Sequence, residues 1–75
     1  MQMREIHPEI LKAMKERYKA GTRVKLNYMN DVISSVPDGT LGTVACVDDV
    51  GTIHVNWDNG RTLGVVYRED SCSII

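Results

Sequence analysis

Between Gly39 and Gly60 the chain runs through two short segments of alternating apolar and polar residues, each bounded by a glycine-bearing turn. Leu41-Gly-Thr-Val-Ala-Cys46 and Thr52-Ile-His-Val-Asn-Trp57 have the two-residue period of half-buried strands, and Asp48 to Gly51 joins them as a hairpin. The pattern demands an all-β core. With Asp48 opposite Ile53, Cys46 faces Val55 and Val44 faces Trp57, so every inward apolar residue meets another. The next turn follows from the same test. A two-residue Asn59-Gly60 loop would pair Val55 with Gly64 and Asn56 with Leu63, mixing the faces. A three-residue loop Asp58-Asn59-Gly60, with Gly60 in the left-handed region, pairs Val55 with Leu63 and Ile53 with Val65. The longer loop is therefore predicted, although Asn-Gly usually marks the shorter one.

The remaining elements follow from local signals. Residues 8–19 read as an amphipathic helix, with Pro8 at the first helical position, His7 at the cap and Gly21 as the stop. Ile10, Leu11, Met14 and Tyr18 form its apolar stripe, which suits docking on the β unit. From Thr22 the period becomes two, and Val24 and Leu26 face inward from a first strand. Tyr28 to Asp38 is a polar loop closed by the Pro37-Asp38-Gly39 turn. Tyr67 to Ser71 is a short connection, and Cys72 and Ile74 belong to a last strand that closes a barrel. The expected architecture is mainly β: residues 1–21 form a helix packed on a five-stranded small barrel of residues 22–75.

Size limits what such a barrel can do. The chain has 75 residues and no phenylalanine, so its core rests on Val, Ile, Leu and Met around Trp57 and the tyrosines. A core this small makes a homodimer through the helix stripe one expectation. The net charge is −1, which gives no whole-molecule attraction to nucleic acid or membrane. Charge is uneven, with five basic and three acidic residues in 1–20 against four and seven in 21–75. No run is long enough to span a bilayer, and Met1-Gln-Met-Arg-Glu5 is too polar for a signal peptide. A cytoplasmic protein is expected, with Cys46 and Cys72 as inward, reduced thiols.

The order of helix, five short strands, long first loop, two tight hairpins and a short last turn resembles an SH3-like barrel. At Ala20-Gly-Thr-Arg-Val-Lys-Leu26, Gly39-Thr-Leu-Gly-Thr-Val44 and Gly51-Thr-Ile-His-Val-Asn-Trp-Asp-Asn-Gly60 the chain closely resembles domain of unknown function family 4314. That family is uncharacterised and occurs in bacteria, phages and mobile elements. The resemblance covers roughly residues 17–75. Val55, Trp57, Asp58, Gly60 and Tyr67-Arg68 are also similar to the mind-bomb/HERC-type domain, a module that binds peptide segments. Gly39, Gly42 and Val44 look like KOW-type ribosomal barrels, but Asp38, Asp48 and Asp49 stand where RNA-binding relatives are basic.

Candidate binding residues fall into three groups. Trp57, Asp58 and Asn59 could grip a ligand at a hairpin tip, with Arg61 opposite Trp57 and stacked on it. The simpler reading makes Trp57 a cap on the barrel and Asp-Asn-Gly turn chemistry. Tyr28, Met29 and Asp31 in the first loop, with Tyr67 and Asp70 in the last connection, stand where SH3-like barrels hold peptides. Two tyrosines beside Asp31 and Asp70 would suit an extended peptide carrying a basic residue. Lys12, Lys15, Lys19 and Arg23, helped by Arg4 and Arg61, could instead touch phosphates.

His7, His54, Cys46 and Cys72 lack metal-ligand spacing, so no metal or other cofactor is expected. Nor is there a nucleophile elbow, a phosphate loop or an acid/base pair tied to a pocket. The sequence points to a non-enzymatic module that binds a protein partner, and the family resemblance implies an accessory protein of a bacterium, phage or mobile element that modulates a host or partner protein, with a defence component as one candidate. A KOW-like nucleic-acid-binding barrel and a structural homodimer are the alternatives.

Overall fold

The computed structural model describes residues 6–30 and 36–75. Helix α1 (Pro8–Arg17) precedes strands β1 (Arg23–Tyr28), β2 (Leu41–Val47), β3 (Thr52–Trp57), β4 (Thr62–Val66) and β5 (Ser71–Ile74). The strands form one antiparallel sheet in the order β4-β3-β2-β1-β5. The mainly β class with one N-terminal helix is thus as expected.

Closure is not. Successive antiparallel pairings leave the edge strands β4 and β5 pointing the same way, and four residues separate them. A parallel pair needs a crossover of about a dozen residues or more, so residues 67–70 cannot let these strands hydrogen-bond. The edges approach each other and leave a seam.

The helix begins where its cap signals place it. The His7 Nδ1 accepts the Glu9 N–H at 3.0 Å, and Pro8 follows in the first turn. It ends two residues earlier than expected, because Tyr18 leaves helical geometry and packs with Met14 against the core. Ile10, the outer member of the stripe, remains 41% exposed.

The core is Val24, Leu26, Met29, Val36, Val44, Ile53, Val55, Trp57 and Val65. Its largest member settles the reading of the hairpin tip. Trp57 is 3% exposed, and its indole N–H donates to the Leu63 carbonyl at 3.0 Å. The three-residue loop holds: Val55 pairs with Leu63 and Ile53 with Val65, and Gly60 has φ 91°.

The β2–β3 register differs from expectation. Val47, not Asp48, faces Ile53, and Val44 faces Val55 rather than Trp57, whose partner is Gly42. Two causes combine. The Asp48 carboxylate accepts the N–H groups of Val50 (3.1 Å) and Thr52 (2.8 Å), which makes Asp48 a turn residue. Val47 and Val44 are then three apart, and both can turn inward only if one extra residue bulges out between them. The irregularity falls between Val44 and Cys46, so Ala45 and Cys46 are exposed and the expected inward Cys46 is corrected. The same parity governs β1. A bulge between Leu26 and Tyr28 turns Met29 inward and leaves Tyr28 52% exposed.

Gly42 lies under the core's largest ring. A Cβ there would sit 2.6 Å from Val55 Cγ1 and 2.7 Å from Trp57 Cε3, both enclosed. Gly64, near the Thr52 methyl, has a neighbour that one side-chain rotation moves aside. Gly42→Ala is therefore expected to lose about 1–3 kcal/mol of stability, the usual cost of overpacking, and Gly64→Ala less. Denaturant midpoints of the two variants decide it. Equal losses would mean that the enclosed Val55 and Trp57 contacts at Gly42 cost no more than the Thr52 contact at Gly64.

Candidate functional site

A depression lies over the seam between the sheet edges. Its volume is about 260 Å³. Met14 of α1 and Tyr18, its C-terminal cap, form one wall, Ile53 and Val65 the floor, and residues 66–68 and 70–72 the other wall. The helix stripe and the β4–β5 connection thus meet across an apolar cleft.

Local hydrogen bonds hold that second wall. Glu69 N and Asp70 N both donate to the Val66 carbonyl, at 3.0 and 2.9 Å. One Asp70 carboxylate oxygen accepts the Asn30 N–H at 2.7 Å, and the other accepts the Val66 N–H at 2.9 Å. Asp70 therefore ties the first loop to the edge of β4, and its oxygens serve the backbone.

The sequence candidates separate on this geometry. Tyr67 and Asp70 line the cleft, whereas Tyr28 does not and its hydroxyl donates to Asn30 Oδ1 at 3.1 Å. Met29 and Trp57 lie in the core, so neither offers a face to a ligand. Asp58 holds Arg23 through two hydrogen bonds of 2.9 and 2.7 Å, and Arg23 also donates to Thr43 Oγ1 at 2.8 Å. These two candidates satisfy each other. Asn59 Oδ1 accepts the Arg61 N–H at 3.0 Å, which is turn chemistry. Asp31 and Arg4 lie outside the described residues.

Of the helix lysines, Lys15 is bound to Asp49 at 2.6 Å, while Lys12 and Lys19 are exposed. Sequence reasoning missed Met14, Tyr18, Arg68 and Cys72 as members of the cleft. The helix stripe signalled burial of Met14 and Tyr18 but not which strands they meet.

The chemistry available in the cleft is quiet. Burial pushes the Cys72 thiol above its ordinary value, which keeps it protonated and a poor nucleophile. No group of three His, Cys, Asp or Glu gathers among the described residues to hold a metal ion. No described helix is long and apolar enough to cross a membrane.

Two carboxyls away from the cleft are held below their usual range. For Asp58 the hydrogen bonds from Arg23 dominate, opposed by desolvation and reinforced by the guanidinium charge. For Asp48 desolvation pushes upward, but hydrogen bonds from Thr52, His54 and Val50 together outweigh it. Its second oxygen stands 2.9 Å from His54 Nε2.

These elements define a small five-stranded β protein with a docked helix and an apolar cleft over an unclosed seam. The chain belongs to the family described as domain of unknown function DUF4314, whose pattern matches residues 7–75. No curated protein matches it.

A depressed folded-state pKa contributes stability that is complete above the unfolded value, about 3.9 for Asp, and is lost as pH falls below it. The double substitution Asp48→Asn and Asp58→Asn is expected to lower stability at neutral pH and flatten its decline below about pH 4. Denaturant midpoints across that window test this. A decline as steep as the wild type's would place the acid sensitivity in other carboxyls.

Proposed function

We propose that this chain is a non-enzymatic protein-binding module of SH3-like build, which seats a side chain of a partner protein in the cleft between α1 and residues 66–72. The cleft itself carries the reading. It is apolar, it opens to solvent, and its 260 Å³ falls below the roughly 300–1,000 Å³ of small-molecule sites. That space suits one or two side chains. Full burial of one apolar side chain contributes about 1.5–3 kcal/mol, so flanking contacts must add affinity.

The strand order, the three-residue hairpin loop and the four-residue connection before β5 support the SH3-like assignment. The Val-x-Trp-Asp-x-Gly likeness to mind-bomb/HERC-type domains falls on core and turn residues, so it supports a shared fold rather than a shared site. By its family likeness the protein acts as an accessory of a bacterium, phage or mobile element, in the cytoplasm, on a host or defence component.

The nucleic-acid reading has less support. Lys15 and Arg23, two of its four cations, are already paired with Asp49 and Asp58. A homodimer through the helix stripe would compete with the packing of Met14 and Tyr18 on the core.

Immobilised wild-type protein, Tyr67→Ala and Tyr28→Ala, each first checked for an unchanged denaturant midpoint, should differ in what they retain from a bacterial lysate. Tyr67→Ala is expected to lose a partner that Tyr28→Ala keeps. On a Cys46→Ser background that partner should slow modification of Cys72 by a thiol reagent. Identical retained proteins, together with an unprotected Cys72, would remove the cleft as the binding surface.

A further inference from the structure

The charge around the cleft specifies its occupant more narrowly, on the assumption that the cleft is the binding surface. Arg68 lines the cleft, and its guanidinium has no acidic partner among the described residues. A second guanidinium stands close by, since Arg17 Cζ lies 5.8 Å from the ring centroid of Tyr18, itself a cleft residue. The single carboxylate in the lining, Asp70, spends both oxygens on the N–H groups of Asn30 and Val66. Glu69 is next in the turn but is not part of the lining. Among the described lining residues an incoming cation would find no unengaged carboxylate, whereas an incoming anion finds the Arg68 guanidinium, with Arg17 beside Tyr18 just outside the lining.

Backbone conformation reinforces the point. Arg68 has φ 71°, the sole non-glycine residue at positive φ among the described residues. Glycine would take that conformation without steric cost, and a long side chain there is uncommon. The turn holds it through the paired donation of Glu69 N and Asp70 N to the Val66 carbonyl. A strained position that keeps a charged side chain at a cleft points to a role for that charge.

We infer that the cleft recognises a peptide segment in which an apolar anchor residue is flanked by Asp or Glu, the anchor entering between Met14, Tyr18 and Tyr67 and the carboxylate meeting Arg68. This reverses the sequence-based expectation of a basic peptide residue, which counted on Asp31 and Asp70. Arginine suits the task because its planar fork donates two parallel hydrogen bonds to a carboxylate.

The test is a selection of random displayed peptides on the immobilised protein, followed by affinity measurement on variants. Selected peptides are expected to combine an apolar anchor with an acidic neighbour. Their affinity should fall about tenfold or more in Arg68→Gly, the scale of losing one charge-assisted hydrogen bond. That variant also relieves the positive φ, so its stability should hold or rise and a folding defect cannot mimic the loss. Arg68→Glu should shift the selection toward Lys and Arg neighbours. Peptides with neutral or basic neighbours on the wild type, or full affinity in Arg68→Gly, would overturn the acidic preference while leaving the cleft as a binding surface. A selection yielding no peptide sensitive to Tyr67→Ala would overturn both.

Discussion

The indole of Trp57 lying against Gly42 is the contact on which the rest of the sheet depends. In a 75-residue chain without phenylalanine, one ring must supply what several usually share, and aliphatic residues fill in around it. Burying it requires a strand neighbour with no side chain, a partner for the indole N–H, and a turn that ends β3 immediately afterwards. Gly42, the Leu63 carbonyl and Asp58–Gly60 meet these needs in turn. The paired hydrogen bonds of Arg23 to Asp58 then tie that turn to β1, across a sheet whose core lies beneath.

What could be read in the sequence was whatever alternation alone decides. The inward rows Val24–Leu26 and Ile53–Val55–Trp57, the longer loop before β4 and the His7-Pro8 helix start needed no knowledge beyond near neighbours. The β2–β3 register needed more. Val44 and Val47 are both apolar and three apart, an odd spacing that a regular strand cannot place on one face. Leu26 and Met29 pose the same problem. Each conflict is resolved by a bulge, so the parity of the apolar positions held the signal. A reading that paired Val44 and Cys46 by simple alternation passed over it.

The cleft was legible only in part. Tyr67 and Asp70 were placed at a groove by the resemblance to SH3-like barrels, which also put Tyr28, Met29 and Asp31 there. The helix wall could not, since a stripe announces burial without naming its partner. The roles of charged residues were least legible of all. Asp58, Asp70, Arg23 and Lys15 all read as free ligands in sequence, and each is held by a residue 34 or more positions away or, for Asp70, also by a near backbone amide. Arg68 drew notice only as part of a family likeness, because a backbone angle is invisible in a sequence.

The unclosed seam links the fold to the proposed binding cleft. Same-direction edges joined by four residues cannot pair, so the seam must be covered by something, and α1 and the β4–β5 connection cover it incompletely. A barrel closed by hydrogen bonds would have no such opening. The most direct test is an amide-shift titration of isotope-labelled protein with the tightest selected peptide. The shifts should concentrate at Met14, Tyr18 and residues 66–72. Shifts centred instead on Trp57–Asn59 or on the exposed lysines of α1 would contradict this account of where the protein binds.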